Sequence, residues 1–345
     1  MDNRSIEGNS SSGPPSLPAG SFASGRGAVA SWLLHCEDPL GSNLSPPHPQ
    51  LSPRRLRKLL LKADAHKVLP SVLRHYPFSA GDPKAEQVRQ EADARRVERA
   101  ALSTMLGHHA SVILKAAGDL PVALVKGPTF AALYPSGLRP FGDIDLLVSP
   151  TALPQLAAIL TELGFIRLEE SRPHPLEDAW LHRDNRVLMV EVHTNLAHEH
   201  RMRAAFSLTY DDLDGIFGRP AALLSVAVMH GAMHYFAWLR HVVDICQAAR
   251  AVVAPEEESL FEALADRTGT RMAAMVGLRL AYRLFGEGRC LEIARSLGSP
   301  RDHRFARALI EGSVLTAPMA GRIVYNGWRR FVFRELLRYG SRQLP

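Results

Sequence analysis

The chain has 345 residues, 46% of them hydrophobic, enough for one large core or two ordinary ones. Its apolar stretches, such as Ala221 to Val228, fall well short of the ~20 residues a membrane-spanning helix needs, and the N-terminus lacks a secretory apolar segment, so a cytoplasmic protein with no membrane span is expected. Three cysteines without a Cys-x-x-Cys spacing point to neither a disulfide framework nor a zinc ribbon, and a net charge of +6 favours polyanionic partners.

Residues 1–28 are rich in Ser, Gly and Pro with few large apolar groups, and read as a disordered tail. An N-terminal helical region is expected over 29–120. It holds a short apolar piece around Trp32, a Pro-rich stretch from Ser45 to Pro53, a helix over Arg54–Ala63 and a long helix over Pro83–Ala117 closed by Gly118. A mixed core follows over 121–200, with strands at Val122–Val125, Ile144–Val148, Phe165–Leu168, Ala179–His182 and Val187–His193. Helices at Pro128–Tyr134 and Leu153–Leu163 lie between them. Residues 201–345 read as a C-terminal helical domain. Its segments are Ala221–Ala251, Glu256–Ala265, Arg271–Phe285, Leu291–Arg295, Phe305–Ile310 and Ile323–Arg338, the last with Arg330, Arg334, Arg338 and Arg342 stepping by four along one basic face. The expected fold class is α+β, a small mixed β-sheet core flanked by helices.

The chemistry concentrates in Gly142-Asp143-Ile144-Asp145-Leu146-Leu147-Val148. Alternate residues of a strand share a face, so Asp143 and Asp145 are expected side by side, an arrangement that favours a compensating divalent cation. Mg²⁺, or Mn²⁺ with similar ligand demands, suits such oxygen donors. A bare Asp-x-Asp is common, and its context matters. Upstream, Lys126-Gly127-Pro128-Thr129 runs from a strand end into a helix start that presents backbone N–H groups to phosphate, with the Lys126 charge beside it. Downstream, Glu191 interrupts a strongly β-forming run. It sits either on the wet face of a half-exposed strand or as a third carboxylate of a two-metal site.

The run LVKGPTFAALYPSGLRPFGDIDLLV from Leu124 to Val148, followed by VEVH at Val190 to His193, resembles the uncharacterised nucleotidyltransferase family of the polymerase beta superfamily. The matching positions are Lys126, Gly127, Tyr134, Pro135, Arg139, Asp143, Asp145, Glu191 and His193, with His230, His234, Arg240 and Asp244 on a later helix. The resemblance implies a nucleotidyltransferase core and an NTP as co-substrate. It further implies metals held by Asp143, Asp145 and Glu191, a role for Glu191 in deprotonating an acceptor of unknown identity, and phosphate charge neutralised by Lys126 and Arg139. Two departures stand out. Pro128 occupies the place where the superfamily has a phosphate-touching Ser, leaving Thr129 or Lys126 to substitute, and Asp143 follows Gly127 by sixteen residues, a long interval.

On a single helix over 221–251, His230, His234, His241 and Asp244 fall on one stripe. His-x-x-x-His is a metal-ligand spacing, but Gly231 stands where a zinc protease has Glu. The functional expectation is a helix over the cleft mouth that fixes substrate or orients a ligand, with a structural polar face as the other reading. At the level of the whole chain the alternatives are a catalytically inactive protein of the same fold that binds nucleotide or a protein partner, and a nucleic-acid binder resting on the basic C-terminal helix.

Overall fold

The computed structural model describes residues 27–41, 43–47, 49–78, 81–168, 177–197, 206–311, 335 and 337. The expected tail therefore lies largely outside the described residues. Ala28 does not belong to it, since it opens the first helix. His174, His198 and His200 fall outside them too, as do the arginines of the basic C-terminal face.

Four helices lead the chain: α1 (Ala28–Cys36), α2 (Pro53–Ala65), α3 (Leu69–His75) and α4 (Pro83–Ala117). Both ends of α4 carry stop signals. Asp82 accepts hydrogen bonds from the Lys84 and Ala85 amides, Pro83 occupies the first helical position, and Gly118 closes the helix at φ +57°. Its 35 residues span about 50 Å at the α-helical rise. That length lets one helix serve two cores, with Val88 and Ala92 packed in the first and Leu106, Ala110 and Ile113 in the second.

The second core belongs to a five-stranded sheet. Its elements are β1 (Val122–Leu124), α5 (Pro128–Ala131), β2 (Ile144–Val148), α6 (Leu153–Glu162), β3 (Phe165–Arg167), β4 (Glu177–His182) and β5 (Met189–His193). The spatial order is β1-β2-β5-β4-β3, antiparallel throughout except for the parallel β2–β5 pair. All five β2 residues are buried, as befits a central strand covered on both faces. The register sets Asp145 directly opposite Glu191 and Leu147 opposite His193. Parallel pairing requires a crossover, and here it comprises α6, β3 and β4.

The remaining elements are helical: α7 (Tyr210–Leu213), α8 (Pro220–Met233), α9 (Leu239–Ala251), α10 (Pro255–Arg267), α11 (Arg271–Phe285), α12 (Gly288–Ser296) and α13 (Pro300–Glu311). Residues from α1–α3 and from α8–α12 form one continuous hydrophobic core, so the leading and trailing helices pack as one layer. The single helix expected over 221–251 is two helices. The chain reverses at Tyr235 and Phe236, both in left-handed backbone conformations (φ +56° and +49°), and the Phe236 amide donates to the Gly231 carbonyl at 2.7 Å. Phe236 is fully buried over Gly231 and Gly277, where a β-carbon on either glycine would meet its ring at 2.8 and 3.0 Å. Burial of that ring, about 1.5–3 kcal/mol, offsets part of the cost of two unfavourable backbone conformations, about 1–3 kcal/mol each. Among the described residues no helix is long and apolar enough to cross a membrane.

Candidate active site

Asp145 lies mid-site on β2 with its side chain 2% exposed. A carboxylate so placed must be compensated, and three groups do so. Lys126, just beyond β1, forms an ion pair with Oδ1, and His193 Nε2 lies 3.2 Å from the same oxygen and 3.7 Å from Glu191 Oε2. Burial alone would push the Asp145 carboxyl up, but the Lys126 ammonium and the His193 ring hold it well below the usual range. Lys126 is correspondingly raised, its burial outweighed by Asp145. Ligand atoms of Asp145, Glu191 and His193 all lie within 4.8 Å of one another.

Asp143 precedes β2 instead of belonging to it, since the strand begins at Ile144. The expectation of two carboxylates on one strand face is corrected to one on the strand and one on the loop entering it. Burial and the neighbouring Asp145 charge raise the Asp143 carboxyl, against the partial offset of Lys126, Arg240 and Lys67. The entering loop is fixed to α4, where Ser103 Oγ accepts from the Phe141 amide at 2.8 Å.

The loop after β1 is shaped by Gly127, whose φ of +62° and ψ of −115° disfavour any side chain. Thr129 Oγ1 donates back to the Lys126 carbonyl at 3.0 Å, closing the turn. The helix expected over Pro128–Tyr134 is a single turn, α5, too short for the macrodipole of a full helix.

Arg139 is buried and its guanidinium faces protein. Nε and Nη2 donate to the two oxygens of Asp244 on α9 at 2.7 and 2.8 Å, and Nη1 lies 3.5 Å from the Gly127 carbonyl. Tyr134 donates to Asp244 Oδ1 at 2.5 Å, and Phe130 lies under the guanidinium, 5.0 Å from its ring centre. Asp244 thus ties α9 to the loop of Gly127. It does not share a stripe with His230 and His234, because the α8–α9 corner breaks the helix on which that geometry rested.

His230 and His234 end α8 and His241 lies on the first turn of α9, and the corner brings the three rings together. Arg240, beside His241, donates to the Pro140 carbonyl at 3.3 Å and faces Asp143.

A family model described as an uncharacterised nucleotidyltransferase matches residues 52–286. The chain belongs to that family. No match was found among curated proteins or solved structures. The matched span takes in α2 through α11, so in this nucleotidyltransferase the helices that carry His230, Arg240 and Asp244 are as much part of the family's unit as the sheet.

Two residues near the site carried no sequence signal. Lys67, at the end of α2, has a left-handed backbone (φ +60°), stacks its ammonium 5.0 Å from the Trp238 ring centre and faces Asp143. Ser103 sits within a uniform helical composition. A non-glycine residue at positive φ is visible only in coordinates.

Proposed function

We propose that the protein transfers a nucleoside monophosphate from an NTP to an acceptor hydroxyl or comparable nucleophile, releasing pyrophosphate, in the cytoplasm. The observation that carries this reading is the parallel β2–β5 register, which sets the buried Asp145 opposite Glu191 with Asp143 at the strand entrance. The donor set suits Mg²⁺ or Mn²⁺: carboxylate oxygens, with that of Asp145 held ionised by Lys126 and His193. Asp143, Asp145 and Glu191 would hold the metal, which when bound polarises phosphoryl oxygens and offsets charge on the attacking and leaving oxygens.

The other roles fall to the chain itself. His193 would fix the orientation of Asp145, and Glu191, 23% exposed in its side chain, would take the acceptor proton. Lys126 meets phosphate charge at the mouth of the Gly127 loop, whose turn Thr129 closes. Arg139 acts on that loop from behind, through its pair with Asp244, and not as a direct phosphate ligand. His230, His234 and Arg240, from the α8–α9 corner, would contact the acceptor.

Calorimetric titration with each NTP in Mg²⁺ tests the reading. Saturable binding is expected, lost on Asp145→Asn, and incubation with labelled NTP and cell extract should yield a nucleotidyl adduct by mass spectrometry. Transfer should fall by about 10²–10³ or more in the variant, the cost typical of removing one charge-stabilising group. Absence of Mg²⁺-dependent binding with all four NTPs would sink it. One observation favours a second reading, a non-catalytic nucleotide-binding member of the family: Lys126 pairs directly with Asp145 and supplies the positive charge a metal would bring. Mg²⁺-independent NTP binding, insensitive to Asp145→Asn and without turnover, would establish that instead.

A further inference from the structure

We infer that His230, His234 and His241 form a binding site for a borderline transition-metal cation of the Zn²⁺ type, separate from the carboxylate centre. One ligand atom from each ring lies within 4.8 Å of the other two. A tetrahedral Zn²⁺ with bonds of 2.0–2.1 Å needs its ligands about 3.4 Å apart. Closing that gap calls for side-chain rotations of the half-buried His230 and His234.

The decisive observation concerns His241. Its side chain is buried, 1% exposed, and neither ring nitrogen has a hydrogen-bond partner among the described residues. An imidazole left without partners in a protein interior costs free energy that evolution ordinarily removes by a hydrogen bond or a ligand. His230 and His234 supply an i, i+4 pair on the last turn of α8, and His241 reaches the same point from α9. The rings of His230 and His241 are 4.6 Å apart at their centres, and those of His234 and His241 are 5.0 Å apart. Trp238, 5.2 Å from His241, forms an apolar wall.

The donor set, more than the local charge, selects the kind of metal. Lys67, Lys126 and Arg240 face the cluster, while Asp145 pairs with Lys126 and Asp143 faces Lys67 and Arg240. Net negative charge is not available to hold a hard cation such as Mg²⁺. Three neutral imidazoles hold a cation by coordinate bonds, which favours Zn²⁺, Co²⁺, Ni²⁺ or Cu²⁺. Three protein ligands leave a fourth position open.

This assignment does not rest on nucleotidyl transfer. The test is chelator-treated full-length protein titrated with Co²⁺ by visible absorption and with Zn²⁺ by calorimetry. One equivalent of Co²⁺ should give the intense visible bands of a four-coordinate ion, resistant to millimolar Mg²⁺. His234→Ala and His241→Leu should each weaken Zn²⁺ binding by more than about 100-fold, beyond the 10–100-fold typical of residues that merely support a ligand. Asp145→Asn should leave the Co²⁺ spectrum intact. Circular dichroism checks each variant, and His234→Ala, at a half-buried helix end, is the one suited to folding normally. Absence of saturable binding in the parent, binding unchanged in a folded His234→Ala protein, or loss of the spectrum in Asp145→Asn would each overturn the assignment.

Discussion

Replacing Asp244 by Ala removes a single carboxylate that three donor atoms share. Arg139 Nε and Nη2 and the Tyr134 hydroxyl all lose their acceptor, and the two charged side chains are only 4% and 3% exposed, so water cannot substitute. Breaking a buried ion pair by deleting one partner costs about 3–5 kcal/mol, because the other charge stays behind. For a chain of 345 residues that corresponds to about 4–7 °C in melting temperature. Calorimetry at neutral pH reads the loss directly. Arg139→Met combined with Asp244→Leu, which removes both charges at similar volume, should recover most of it. NTP affinity should stay low even in the double variant, since Arg139 Nη1 no longer faces the Gly127 carbonyl. An Asp244→Ala protein destabilised by less than about 1 kcal/mol would refute the reasoning, placing the pair among solvated ones that contribute little.

Asp143 offers a test of opposite sign. Its carboxyl is raised by burial and by Asp145, so its cost to the native state is absent below the ordinary carboxylate pKa of about 4 and grows as pH rises through the raised native value. Asp143→Asn should therefore melt higher than the parent at pH 7 in chelator, with the difference vanishing in acid, while losing Mg²⁺-dependent NTP binding; equal or lower stability at pH 7 would contradict this. At Gly127, a β-carbon would have to tolerate φ +62° and meet Phe141 Cδ2 at 3.3 Å, and Gly127→Ala should cost about 1–3 kcal/mol by urea denaturation.

The strands were legible as short apolar runs between turn residues, and α4 because Asp82-Pro83 and Gly118 mark both its ends. Asp145 and Glu191 were legible as carboxylates out of place in apolar strands. Their direct opposition was not, because register across a parallel pair depends on the whole crossover and not on either strand. The α8–α9 corner was illegible for a different reason. His234-Tyr235-Phe236 contains neither Gly nor Pro, and local propensity runs through it. The determinants are Gly231, two residues before the end of α8, and Gly277 on α11, which together vacate the space that Phe236 fills. A tertiary cavity overrode the helical pattern, and with it the stripe of His230, His241 and Asp244.

That corner also explains why the site cannot be assigned to the sheet alone. Asp145, Glu191 and His193 stand on β2 and β5, but the groups around them come from the other core: Lys67 from the end of α2, His230 from α8, and Arg240, His241 and Asp244 from α9. These helices share one hydrophobic core with α1, α3, α11 and α12, and α4 packs in both cores. The carboxylates are placed by strand register, an arrangement stiff over its few residues, whereas the facing side is placed by a corner that depends on one buried phenylalanine. Substitutions at Phe236 should thus disturb the histidine cluster and the Arg139–Asp244 link together while leaving the Asp145–Glu191 register intact.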